Sequence, residues 1–185
     1  MPSKLHNLRT LHLFAGAGGG LLTDMLCGHR PVCGVEIDEH CQQVLSARQK
    51  DSHLPWFPIF SDVTKFDGKP WRGLIDVISG GFPCVDISVA GKGAGITGKH
   101  SGLWKEFARI IREVGPRYDF VENSPLLTKR GIHTVLGDLA QMGYDAQWGV
   151  LGADDAGANH RRKRIWIVAH RDSSREPQPE GCQQK

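Results

Sequence analysis

The sequence predicts an α/β protein with a mainly parallel, doubly wound sheet and an antiparallel strand late in the chain. Three observations predict it. Short apolar runs alternate with segments of helical period along most of the 185 residues. A glycine-rich turn, Phe14-Ala15-Gly16-Ala17-Gly18-Gly19-Gly20, follows the first apolar run. Residues able to do chemistry fall at the ends of successive runs, where open α/β sheets hold their ligands.

Each element has its own reason. Residues 1–8 read as a short leader. Thr10 to Phe14 reads as a buried strand, and Gly19 to Cys27 as a helix with Leu21, Leu22, Met25 and Leu26 on one side. Pro31 to Val35 is a second strand, ending in Glu36-Ile37-Asp38. Asp38 is placed to cap a helix running through Arg48. Trp56 to Phe60 is a third strand, followed by Ser61-Asp62-Val63, and Leu74 to Ser79 is a fourth. Residues 84–102 are rich in glycine and small side chains, and a connection that long inside a domain is functional or disordered. Leu103 to Val114 is an amphipathic helix, Arg117 to Val121 a fifth strand, and Gly131 to Met142 a helix with Val135, Leu136 and Leu139 inward. Tyr144 to Leu151 and Arg164 to Ala169 read as an antiparallel pair. Residues 1–170 thus form one domain, and 171–185 are expected to be a polar, disordered tail.

Composition narrows the classes. Apolar content of 39% and charged content of 23% are those of an ordinary globular domain. A formal charge of +3 excludes a globally polybasic protein, although His160-Arg161-Arg162-Lys163-Arg164 is a local basic cluster. Such a cluster suits a nucleic-acid backbone or a solvated surface. The cysteines are Cys27, Cys33, Cys41, Cys84 and Cys182. Their odd count and the lack of a C-x-x-C pair argue against a disulfide framework and for a reduced, cytoplasmic setting. A zinc site from Cys27, Cys33 and Cys41 lacks the usual spacing, so no metal is expected. No run reaches the ~18 apolar residues of a membrane span.

Two groups of residues carry the chemistry. The glycine turn lets backbone approach a ligand, and Glu36, about 20 residues on, stands where an acid holds a ribose. A nicotinamide site would use the same logic. Asp62 is placed either to accept from an adenine amino group or simply to cap a turn. In the second group, Gly80-Gly81-Phe82-Pro83 presents Cys84 just past a strand end, and Glu122-Asn123 ends the next strand. Arg162 and Arg164 alternate, so both are expected on one strand face. Taken singly, Cys84 reads as a buried structural thiol, Glu122 as a partner of Arg117 or Lys129, and the arginines as a charged edge strand.

Together, in this order, these residues resemble the DNA (cytosine-5)-methyltransferases, from about Leu11 to Ala169. Phe14 through Gly19 matches the family's F-x-G-x-G-G turn. Pro83-Cys84 matches its Pro-Cys, Glu122-Asn123 its Glu-Asn, and Arg162-Lys163-Arg164 the end of its Q-x-R-x-R. Departures are Val85 after the cysteine, His160 at the glutamine position and Ser124 after Glu-Asn. The resemblance implies a Rossmann-like S-adenosylmethionine-dependent fold. It implies that Phe14, Ala15, Gly16, Gly18, Gly19, Glu36, Ile37, Asp62, Val63, Gly81 and Leu103 hold S-adenosyl-L-methionine. Cys84, Glu122, Arg162 and Arg164 would be catalytic, with Pro83, Ser88 and Asn123 on the substrate.

The implied reaction is methyl transfer to C5 of a cytosine flipped out of DNA, through a covalent Cys84 adduct. Family members continue past the Arg-x-Arg strand into a target-recognition region and a Gly-Asn motif, and nothing after Ala169 resembles either. The expectation is therefore a catalytic domain that works with a second polypeptide, with little sequence selectivity, or not at all. The rivals are a binding module without turnover, a tRNA cytosine methyltransferase and, last, a nicotinamide oxidoreductase. The glycine-rich 91–98 segment is expected to be either a lid over the base or a static loop.

Overall fold

The computed structural model describes residues 7–83 and 103–171. Cys84, Ser88, the 91–98 segment and the tail from residue 172 on lie outside the described residues. Seven strands form one sheet: β1 (Arg9–Leu13), β2 (Arg30–Val35), β3 (Ile59–Phe60), β4 (Val77–Gly81), β5 (Tyr118–Asn123), β6 (Tyr144–Leu151) and β7 (Arg164–Arg171). Their order is β3-β2-β1-β4-β5-β7-β6. The pairings β3–β2, β2–β1, β1–β4 and β4–β5 are parallel, and β7 runs antiparallel to both β5 and β6. The predicted architecture is observed, including the late antiparallel pair. The chain winds outward from β1 to β3 and restarts at β4 on the other side of β1. That reversal puts a crevice at the carboxyl ends of β1 and β4.

The two faces of β1 divide the interior. Leu11 and Leu13 point into the main core, with α3 (Leu103–Val114) and α5 (Ile132–Gln141). Trp104, Phe107, Ile110, Ile111 and Val114 all bury there, which is the amphipathic stripe expected of that segment. Thr10 and His12 alternate to the other face and meet Asp24 of α1 (Gly19–Leu26). A second cluster, Leu21, Leu45, Leu54 and Phe57, packs there between α1 and α2 (Glu39–Lys50). Asp38 caps α2 as expected, its Oδ1 accepting from the Cys41 amide at 2.8 Å.

Several expectations change. Only Leu21 of the α1 apolar residues is buried; Leu22, Met25 and Leu26 are exposed. The helix spans eight residues, and Gly20 and Asp24 are turned to His12, so its sheet-facing side is not the leucine side. β3 holds two residues because Pro58, which has no amide hydrogen, lies just before it. A short helix, α4 (Leu127–Arg130), precedes α5 and was not anticipated. β7 starts at Arg164 as expected but runs on to Arg171, and Arg162, expected on the same strand face as Arg164, lies before the strand. Cys33 is buried in the main core and Cys27 is exposed, and no metal-holding group of three donors exists among the described residues.

Candidate active site

The carboxyl-end rim begins with the turn after β1. Phe14 takes a left-handed φ of 56°, rare for a bulky residue, followed by Gly16 at 54° and Gly18 at 97°. Phe14 is held in that conformation by stacking on Phe107 of α3, ring centroids 6.3 Å apart. The Gly16 amide donates to Glu36 Oε2 at 2.6 Å, and the Asp38 amide donates to Glu36 Oε1 at 2.9 Å. The Glu36 carbonyl accepts from Gln42 Nε2 at 2.6 Å. Glu36 is thus tied to the glycine turn on one side and to the start of α2 on the other. A side-chain carbon at Gly16 or Gly19 would meet nothing within 4 Å, so the turn faces open space.

Asp62 serves as a turn cap. Its Oδ1 accepts from the Thr64 hydroxyl at 2.7 Å and the Thr64 amide at 2.9 Å, and these bonds hold its carboxyl below the usual range. The second oxygen has only Lys65 Nζ at 3.5 Å, on a largely exposed side chain. Val63 is buried, Leu103 is half-buried against the main core, and Ile37 is exposed. A residue not anticipated organises this corner. Arg109 donates to the Val63 carbonyl at 2.9 Å and the Phe66 carbonyl at 3.0 Å while paired with Glu106 and Glu113 at 2.8 Å. Its α3 neighbours Glu106 and Glu113, at i−3 and i+4, are the sequence signal for it.

β4 and β5 build the other corner. Gly81 pairs with Glu122 in parallel register, and a Cβ on Gly81 would stand 2.5 Å from Glu122 Oε2. Only a glycine lets the carboxylate lie over that strand end. Glu122 Oε1 is 2.5 Å from Arg164 Nε, at the first position of β7. Arg117 and Lys129, its expected alternative partners, are not paired with it. Arg117 instead lies over the Tyr118 ring at 5.1 Å. Arg162 is exposed in the segment before β7, so the alternation argument holds for Arg164 alone.

The chain reaching Cys84 is anchored up to its last described residue. Phe82 is buried against Trp104 at 5.6 Å, and Trp104 Nε1 donates to Asp138 Oδ2 at 2.7 Å. Asn123 Nδ2 donates to the Phe82 carbonyl at 3.1 Å, and Asn123 Oδ1 accepts from the Ser124 amide at 2.7 Å. The Asn123 side chain is buried and engaged at both ends. It positions Phe82-Pro83 and does not open toward a substrate. Cys33, by contrast, behaves as an inert core thiol, pushed up to about 12 by burial.

The structure therefore brings Phe14–Gly19, Glu36, Gly81, Glu122 and Arg164 to one rim of the sheet. The sequence profile of the family described as C-5 cytosine-specific DNA methylase matches residues 8–185. The chain is 36% identical over 167 residues to the type II methyltransferase M.CviJI of Paramecium bursaria Chlorella virus IL3A, covering 89% of this chain and 44% of that protein. It is 34% identical to M.Eco47II of Escherichia coli, covering 88% and 39%. The crystal structure of a prophage-encoded DNA modification methyltransferase from E. coli superposes with a TM-score of 0.69 at 25% identity, over 91% of this chain and 48% of the other. The Schizosaccharomyces pombe Dnmt2 methyltransferase shares the fold at a TM-score of 0.70 and 16% identity, over 92% and 51%. The chain spans about half the length or less of these relatives. With its motifs gathered on one rim and its profile matched almost end to end, the chain belongs to the C-5 cytosine-specific DNA methylase family.

Proposed function

We propose that this chain is the catalytic part of a DNA cytosine-5 methyltransferase that uses S-adenosyl-L-methionine. One observation carries the reading. Glu122, held by Arg164 at 2.5 Å and lying over Gly81, three residues before Cys84, shares a sheet rim with the Glu36-tied glycine turn. An acid over the strand end that leads to a cysteine is what addition to a pyrimidine ring requires.

The residues present fit the cofactor. The open glycine turn and the anchored Glu36 carboxylate would hold its ribose, with Asp62, Ile37 and Val63 toward its adenine and Gly81 and Leu103 beside its methyl-bearing end. When bound, it would supply an electrophilic methyl group. Cys84 attacks cytosine C6 as a thiolate, and the C5–C6 electron pair moves onto C5. Glu122 shares a proton with N3 and stabilises the ring as C5 becomes nucleophilic. Arg164 holds Glu122 in place, and Arg162 and Ser88 contribute to the base or its phosphates. After C5 takes the methyl group, a water molecule takes the C5 proton, its bonding pair re-forms the C5=C6 bond, and the C6–S bond breaks to free Cys84 as a thiolate. The base must leave the duplex first, because stacking shields C6.

The partners are DNA and a second polypeptide that supplies the recognition region. The β5–β7–β6 face that carries Glu122 and Arg164 leaves Phe120, Val168 and Leu151 exposed. An exposed apolar face beside the site suits a covering partner. Among the described residues no helix is long and apolar enough to cross a membrane. A reactive thiol working on DNA fits a reduced, cytoplasmic setting.

The test is duplex DNA containing 5-fluorocytosine, which blocks release of the C5 substituent and traps the adduct. A covalent complex that Cys84→Ser abolishes supports the reading. An adduct that survives Cys84→Ser, or one formed on tRNA and not on DNA, overturns it.

A further inference from the structure

The opposite rim of the sheet holds a second cleft, of about 660 Å³, lined by residues before β4, after α3, at the start of β5 and at the end of β7. That volume is in the range of small-molecule sites. Its charge is one-sided. Arg117, His170 and Arg171 line it, and Arg72 reaches it across Gly115. Asp76, the one acid in that lining, is engaged by Arg9 at 2.8 and 3.0 Å. Asp119 lies close by but is fully buried without a hydrogen-bond partner, and burial drives it toward the uncharged acid.

Two of these arginines, Arg72 and Arg171, converge on one place. Gly115 closes α3 with a left-handed φ of 62°, and its bare Cα leaves room above it. A Cβ there would lie 3.0 Å from Arg171 Nη1 and 3.4 Å from Arg72 Nη1. The Arg72 guanidinium is fixed by donating to the Arg112 carbonyl at 2.7 Å, and that of Arg117 by the Tyr118 ring. Neither Arg72, Arg117 nor Arg171 makes an ion pair with a described residue. Like charges brought together in this way repel unless an anion is shared between them, and the guanidinium fork matches a phosphate.

We infer that this cleft binds a compact phosphate-bearing anion, a free phosphate ester or diphosphate, at a site separate from the methyl-transfer rim. The convergence of the Arg72 and Arg171 guanidiniums on one point, and not along a groove, favours a single phosphate or diphosphate over a nucleic-acid strand. The inference does not depend on the methyltransferase reading.

Calorimetry of the full chain with pyrophosphate, in a phosphate-free buffer, tests it. Saturable binding near one equivalent is expected. Arg72→Gln and Arg171→Gln should each weaken it about tenfold or more, while Lys50→Gln, far along α2, leaves it unchanged. Circular dichroism checks each fold, and because Arg72 and Arg117 are exposed, Arg72→Gln and Arg117→Gln answer the question should Arg171→Gln not fold. Absence of saturable heat, or equal weakening by Lys50→Gln, overturns the site. Displacement of pyrophosphate from this cleft by a short oligonucleotide at lower concentration than by a mononucleotide would assign the phosphate to a nucleic acid and overturn the small-anion assignment.

Discussion

Two carboxylates stand on the same rim and are held in different ways. Glu36 is locked by backbone amides, those of Gly16 and Asp38, one strand-turn away and two residues away. Glu122 is held by a side chain, Arg164, forty-two residues later on an antiparallel neighbour, and by the missing side chain of Gly81. The first acid is placed by its own βαβ unit. The second exists as a site only once β7 has docked between β5 and β6. The cofactor corner is therefore expected to form locally, and the chemical corner to depend on the sheet being complete.

Predictions follow that contrast, from the largest expected effect down. Glu122→Gln should lower methyl transfer at least about 100-fold with little change in S-adenosylhomocysteine binding. Single-turnover rates and calorimetry check both halves, and parallel loss of cofactor binding would break the separation of the corners. Gly80→Ala should destabilise the fold by about 1–3 kcal/mol, because its Cβ would stand 2.2 Å from the Leu13 carbonyl oxygen where β1 and β4 meet. Denaturant melts measure this, and unaltered stability would contradict the close approach of the two strands.

Glu36→Gln removes the charge from two amide bonds and is expected to weaken S-adenosylhomocysteine binding about tenfold. The Cys84 adduct on 5-fluorocytosine DNA should still form in this variant at saturating S-adenosylmethionine if the corners are separable. The last prediction concerns pH. Asp119 has a folded pKa raised by burial, so its protonated form favours folding at low pH, below the ordinary carboxylate value. Stability is lost as pH rises from about 4 toward the raised folded value, by up to about 1.4 kcal/mol per unit. Asp119→Asn should flatten that slope in thermal melts taken at several pH values, and an unchanged slope would show that the carboxyl is not carried neutral.

Much of the fold was legible because its signals are local. Alternation of apolar runs marked the strands, Asp38 marked the start of α2, and the stripe in Leu103–Val114 marked the helix under the sheet. Motif residues placed Glu36, Gly81 and Glu122 at strand ends without knowledge of the strand order. What failed were statements about which way a side chain faces across elements. The leucines of α1 could not reveal that Asp24 and Gly20 would turn to His12, and the spacing of Arg162 and Arg164 could not reveal that Arg162 lies outside the strand whose face Arg164 occupies.

The sequence by itself determined the element types, the rim and the candidate chemistry, because hydrophobic period, glycine turns and capping act over a few residues. Tertiary structure alone decided that Arg164 and not Arg117 meets Glu122, and that Asn123 supports the turn before Cys84. It also decided that Arg109 clamps the Asp62 corner and that Arg72 and Arg171 converge above Gly115. Those contacts join residues far apart in the chain, whose meeting depends on strand order and register, and neither is encoded in any one segment.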